Sequence, residues 1–341
     1  MIAAKLANAE TAATISDLVE IVEPALPWLE RLDAYMLSQI GEFEADIQEL
    51  VEYTFQYRGK RLRPLLVFFA GWGAPEAAEE DLIRMAAVVE MVHLATLVHD
   101  DILDDADIRH SALTVSRKHG AETAVLLGDA LFAQALKLAA DFDTTRVCRE
   151  VAAATRRVCA GEIAQTLQRG NAEISLDDYH RIVDYKTAEL FRVSTLLGAE
   201  LSGRDAEFSK AAEQAGRQLG IAYQVFDDLV DFLGTEGKAG KTLGTDLASG
   251  KFTLPLILLR QRLSKEEVAK LDAQVGPEGG LTREALNERF SEHGIFEDVR
   301  NYALNELAIG TQAIARFDGD LAAEKLQQLC GFLEAKLQKA V

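Results

Sequence analysis

The chain has 341 residues, is 48% hydrophobic and carries a formal net charge of -19 at neutral pH. That much acid excludes nucleic acid as a partner, because phosphate backbones are held by basic surfaces, while a small phosphorylated ligand needs only a local basic cluster. The apolar share is ample for a sizeable core, and Cys148, Cys159 and Cys330 form neither an even disulfide set nor a metal-ligand spacing, as expected in a reducing compartment.

Residues 1 to about 14 are Ala-rich without strong periodicity and are expected to fray. Helical periodicity runs from about Ile15 to Tyr57. Arg58 to Pro64 is a basic break, with Pro64 placed where a new helix begins. After a turn at Gly71 to Pro75, the pattern from Glu76 to about Asp104 predicts one long helix ending in an acidic cluster. Ser111 to Gly120 reads as a polar connection, followed by helices over about Glu122–Asp141 and Thr145–Gln168. Ser175 with Asp177 and Asp178 marks a helix start. Helices then run to about Gly203 and from Glu207 to Phe232. Gly234 to Gly250 is the longest irregular segment, Ser264 to Glu267 a capping box, Gly276 to Gly280 a loop, and two or three helices complete the chain. The expectation is an all-α fold, a single large helical bundle around a central cavity, spanning residues 1–341 as one domain. The N-terminus lacks a basic-then-apolar leader pattern, and apolar runs such as Leu65 to Gly71 are too short to span a bilayer, so a cytoplasmic protein with no transmembrane segment is expected.

Two copies of Asp-Asp-x-x-Asp stand out: Asp100-Asp101-Ile102-Leu103-Asp104 and Asp227-Asp228-Leu229-Val230-Asp231. Carboxylates this dense on a helix repel one another. A hard divalent cation, which prefers carboxylate oxygens and bridges to phosphates, compensates them. First and fifth residues lie on one helix face, a turn apart. Two such faces across a cavity would hold magnesium ions and a polyphosphate between them. One acidic helix end alone reads as a solvated face; two, each behind an apolar helix, do not. Basic residues accompany them: Lys60, Arg61 and Arg63 in the first break, Arg109 after the first motif, and Lys241 and Lys251 around the glycine-rich segment. Lys186-Thr187 sits in an apolar helix, where an ammonium is costly without a partner. Alone it would snorkel to water, just as His93 alone would be a core histidine.

In this order and spacing, the chain resembles the trans-isoprenyl (polyprenyl) diphosphate synthases. The resemblance rests on Gly59-Lys60-Arg61-Leu62-Arg63-Pro64, His93 with Leu97-Val98-His99-Asp100-Asp101, Gly128-Asp129, Gly161-Glu162 with Gln165, Lys186-Thr187-Ala188, and Gln224-Val225-Phe226-Asp227-Asp228. It continues through Gly240-Lys241, Gly244, Asp246-Leu247 and Gly250-Lys251 to Leu254-Pro255. The resemblance implies a prenyltransferase that condenses isopentenyl diphosphate with an allylic diphosphate, head to tail and with trans geometry. It implies magnesium, three ions per site with manganese as a substitute, and a homodimer. Asp100, Asp104 and Asp227 would ligate the metals, with Asp101, Asp228 and Asp231 in support. Arg109, Lys186, Thr187, Gln224, Lys241 and Lys251 would contact the allylic diphosphate or its metals, and Lys60, Arg63 and His93 the diphosphate of isopentenyl diphosphate. Asp100, Asp104, Asp227 and Lys186 are the catalytic candidates. No side-chain nucleophile is required.

The family usually reads Arg-Arg-Gly after the first motif, whereas this chain reads Arg109-His110-Ser111, which implies weaker or more pH-sensitive binding of isopentenyl diphosphate. Ala95 and Thr96, four or five positions before the first motif, are not aromatic, and Phe132 is a candidate for a deeper floor; a product longer than farnesyl is expected. The second aspartate motif and Lys60/Arg63 oppose a terpene cyclase. A non-catalytic subunit of such a synthase stays open because of His110-Ser111.

Overall fold

The computed structural model describes residues 18–56, 59–109, 112–233, 244–275 and 280–340. Among these, the helices are α1 (Leu26–Ser38), α2 (Gln48–Phe55), α3 (Leu62–Ala70), α4 (Glu79–Leu103), α5 (Val115–His119), α6 (Ala121–Ala140), α7 (Thr145–Leu167), α8 (Leu176–Val183), α9 (Glu189–Leu201), α10 (Ala206–Leu233), α11 (Thr245–Ala248), α12 (Leu254–Arg262), α13 (Lys265–Asp272), α14 (Arg283–Glu292), α15 (Ile295–Ala315) and α16 (Leu321–Ala340). Beta structure among them is a two-residue hairpin, β1 (Ile108–Arg109) against β2 (Ala112–Leu113). The all-helical expectation stands.

Two expected elements are more broken than periodicity predicts. The span from Ile15 to Tyr57 is interrupted by 3-10 turns at Glu23–Ala25 and Gln39–Glu42, where Pro24 and Pro27 remove donors and Gly41 weakens the helix. The polar connection after the first acidic motif holds β2 and the short helix α5, capped by Thr114, which accepts from the Arg117 amide. Other signals hold. Ser175 caps α8, and Ser264 with Glu267 forms a reciprocal capping box on α13. The expected frayed N-terminus and most of the loop around Gly276 lie outside the described residues.

Helix α4 runs through the middle of the bundle, and buried residues from α1 to α16 join one contiguous core. By length and composition alone, Glu76–Leu103 and Ala121–Ala140 are apolar enough to cross a membrane, a property that the core helix of a bundle shares. The first is 72% buried inside the bundle; its apolar residues face other helices on all sides, as in a core helix. Between α8 and α9 the helix widens into one π turn, Asp184–Ala188.

Candidate active site

A cavity of about 1440 Å³ opens among α4, α7, α9 and α10. The α4 side presents His93, Thr96, Leu97, Asp100, Leu103 and Asp104 to it, the recurrence at three and four residues that one helix face provides. From α10 come Gln224, Asp227 and Asp228. Lys60, Arg63, Lys186, Thr187, Arg109 and Lys251 also line it. The structure therefore brings together the two acidic motifs and the described cationic candidates. Lys241, His110 and Ser111 lie outside the described residues.

Three candidates are not on the wall. Asp101 is 1% exposed and accepts from the Arg109 Nε at 2.6 Å, so it anchors Arg109 instead of facing the cavity. Asp231 is buried on α10 and does not line the cavity. Ala95 is buried in the core with Met91, Val92 and Val88, whereas its neighbour Thr96 lines the cavity. At about 100° per residue, position 96 lies within about 40° of Asp100 and position 95 points elsewhere. Phe132 lines the cavity, its ring centroid 5.8 Å from that of His99.

Burial makes the acidic walls costly. Asp100 is pushed up to about 6, chiefly by burial and further by Glu162 and Asp104, against the pull of Lys186. Asp228 is pushed up to about 8 by burial, with Asp246 and Asp227 adding to it. It accepts from Tyr179 Oη at 2.6 Å and from Gln224 Nε2 at 2.8 Å, and Gln224 Oε1 in turn accepts from the Thr187 hydroxyl at 2.7 Å. Asp104 behaves oppositely: despite burial, Lys251, Lys186 and Arg169 hold its carboxyl below the usual range. Lys251 Nζ lies 3.2 Å from it and Arg169 Nη2 2.7 Å. Sequence reasoning missed Arg169; no local signal marks it, because its partner is 65 residues away.

The π turn sets Lys186 and Thr187 in place. Arg217 from α10 grips Asp184 with two donors, at 2.6 and 2.5 Å. Lys186 pairs with Glu162 and donates to Gln165 Oε1 at 2.8 Å. Burial lowers its pKa, but Asp100 and Glu162 outweigh this and raise it, so the ammonium stays charged. The turn is crowded: a Cβ on Gly161 would lie 2.5 Å from the Lys186 amide nitrogen, and one on Gly220 2.6 Å from the Ala188 Cα. Only glycine lets α7 and α10 approach this closely.

Among the described residues, no three His, Cys, Asp or Glu side chains converge on one point as a ready cage. The donor set nevertheless fits magnesium, which takes one or two carboxylates and completes its octahedron with water and phosphate oxygens. Two buried carboxyls pushed up to about 6 and 8 are sites where an added cation relieves a charge deficit. Arg63 has its Nε enclosed without a hydrogen-bond partner and its guanidinium 5.1 Å from the Phe191 ring centroid, leaving donor capacity for an anion.

Comparison with known proteins agrees with this geometry. The chain is 31% identical over 322 residues to solanesyl-diphosphate synthase 2, chloroplastic, of Oryza sativa subsp. japonica, covering 93% of this chain and 75% of that one. It is 32% identical over 298 residues to octaprenyl diphosphate synthase of Haemophilus influenzae, covering 86% and 90%. A polyprenyl synthase from Caulobacter crescentus, crystallised with calcium and isoprenyl diphosphate, superposes with a TM-score of 0.85 at 29% identity, over 92% of this chain and 96% of that one. Residues 44–291 match the family described as Polyprenyl synthetase. With that match spanning most of its length and both acidic motifs turned into one cavity, the chain belongs to the polyprenyl synthetase family of prenyltransferases, the trans-isoprenyl diphosphate synthases.

Proposed function

We propose that this chain extends an allylic diphosphate with isopentenyl diphosphate by magnesium-assisted ionisation, and releases a polyprenyl product longer than farnesyl. The observation that carries this reading is that Asp100, Asp104, Asp227 and Asp228 line one cavity together with Lys60, Arg63, Lys186 and Lys251. Asp100, Asp104 and Asp227, supported by Asp228, would hold the metal ions; when bound, these neutralise diphosphate oxygens as the allylic C–O bond breaks. Lys186, Thr187, Gln224, Arg109 and Lys251 line the same region and supply fixed donors for the charge that develops on the leaving group. Lys60, Arg63 and His93 hold the second diphosphate, which orients its alkene toward the allylic carbon. The cavity wall beyond Thr96 shelters the cation from water. Asp101 and Asp231, off the wall, would support the metals from behind, Asp101 by holding Arg109.

Four further features of this reading have support of their own. Thr96 leaves the wall open next to the first motif, and the relatives' names, solanesyl and octaprenyl, favour a long product. A homodimer is favoured by exposed apolar side chains on α6 and α7, where Leu126 is 68% and Leu167 78% exposed and Val125 is exposed as well. One contiguous core favours one domain, and three free cysteines favour the cytoplasm. The test is incubation of the purified protein with magnesium, isopentenyl diphosphate and a panel of allylic primers, with products sized by mass spectrometry. Chains beyond fifteen carbons are expected; no condensation with any primer would overturn the reading.

A further inference from the structure

We propose that Arg61, set between the two cations of the isopentenyl diphosphate site, is a positioning residue that tethers Lys60 and Arg63 to the helix carrying His93 and Asp100. The inference rests on the reading of that site given above. Arg61 has φ of 50° and ψ of 33°, a left-handed backbone at the N-cap of α3. A non-glycine residue holds that conformation only where its surroundings fix it. Here the guanidinium does so: Arg61 is 7% exposed, donates through Nη1 to Glu90 Oε1 at 2.6 Å, and through Nη2 to Asp33 Oδ1 at 3.1 Å. Asp33 belongs to α1 and Glu90 to α4. Glu90 stands one turn before His93, and both line the cavity.

The left-handed residue turns the chain between Lys60 and Arg63, so that both reach one wall. Arg61 is not itself a third phosphate ligand. Two of its nitrogens are committed to the carboxylates of Glu90 and Asp33. The contribution of Arg61 to the diphosphate site is geometric. The two descriptions diverge for Glu90→Gln. Removing an anion beside an anion site tightens diphosphate binding if charge decides, and loosens it if the tether decides.

Michaelis constants for isopentenyl diphosphate and for the allylic primer, measured separately, give the test, together with calorimetric affinity for isopentenyl diphosphate alone. Arg61→Gly keeps the left-handed turn without steric cost and removes the guanidinium. Its Michaelis constant for isopentenyl diphosphate is expected to rise about tenfold or more, with the allylic constant within about twofold of wild type. Glu90→Gln is expected to raise the same constant several-fold, and Arg61→Lys to recover most of the loss. An equal rise in both constants, or a fall for Glu90→Gln, overturns the tether. Wild-type protein without turnover overturns the underlying reading of the site instead.

Discussion

Arg169 caps the acidic end of α4 through two contacts: Nη2 reaches Asp104 Oδ1 at 2.7 Å, and Nη1 the Leu103 carbonyl oxygen at 3.2 Å. A guanidinium at a helix C-terminus meets both the helix dipole and the carboxylate. A metal ion arriving at Asp104 therefore competes with Arg169 and with Lys251. For Arg169→Gln we expect magnesium or manganese affinity, titrated without substrate, to increase about two- to fivefold, and the metal-free protein to melt a few degrees lower. Unchanged metal affinity would remove Arg169 from the account.

Replacing Asp100 by asparagine separates function from stability. The carboxylate is buried next to Glu162 and Asp104, so the neutral isostere relieves repulsion while losing a metal donor. We expect kcat to fall by about 10² or more while the metal-free melting temperature stays level or rises. A large drop in melting temperature would mean that the residue is structural.

Thr96 and Ala95 are adjacent and make opposite predictions. Thr96→Phe puts a ring on the cavity wall and is expected to shorten the product on chromatography. Ala95→Phe forces a ring into a packed core and should cost about 1–3 kcal/mol by overpacking, read by denaturant unfolding. If Ala95→Phe shortened the product without loss of stability, the assignment of this wall would be wrong.

The exposed apolar face of α6 and α7 is expected to be covered by a second copy. Leu126→Glu or Val125→Glu would place a charge on it and weaken self-association about thirtyfold or more. Light scattering across a dilution series reads this directly. A wild-type protein that is monomeric at all concentrations refutes the dimer.

Lys336, on α16 at the cavity, has its pKa pushed down from 10.5 to about 8 by burial and by Lys339. The folded chain thus releases a proton that the unfolded chain keeps between about pH 8 and pH 10.5. Stability should rise with pH across that window, and the destabilisation is fully present below it. Lys336→Met is expected to melt higher than wild type at pH 7 and to converge with it above pH 10.5. Melting curves that stay parallel across the range would exclude this titration.

Where the sequence failed, the missing information was three-dimensional. Both acidic motifs and the Lys186-Thr187 pair are visible in the sequence, because each is a dense local anomaly in an apolar helix. Helical periodicity also separates Asp100 and Asp104, on the wall, from Asp101, behind it; treating the motif as one unit blurred that distinction, and the same arithmetic separates Thr96 from Ala95. Arg61 and Arg169 were silent as site residues because Asp33, Glu90 and Asp104 lie far along the chain. The π turn was invisible because Asp184 to Ala188 contains no proline or glycine to break the pattern.

That wide turn also bears on how the gene can change. A single extra residue is stored between Asp184 and Ala188, so the two halves of the helix are out of phase by about 100°. Deleting one codon there would restore a regular spiral, yet it would swing Arg192 away from Glu150 and Glu213, or else drag Lys186 off the cavity. Length in this segment is thus fixed by both ends at once, and a one-residue deletion should be tolerated less well there than almost any single substitution.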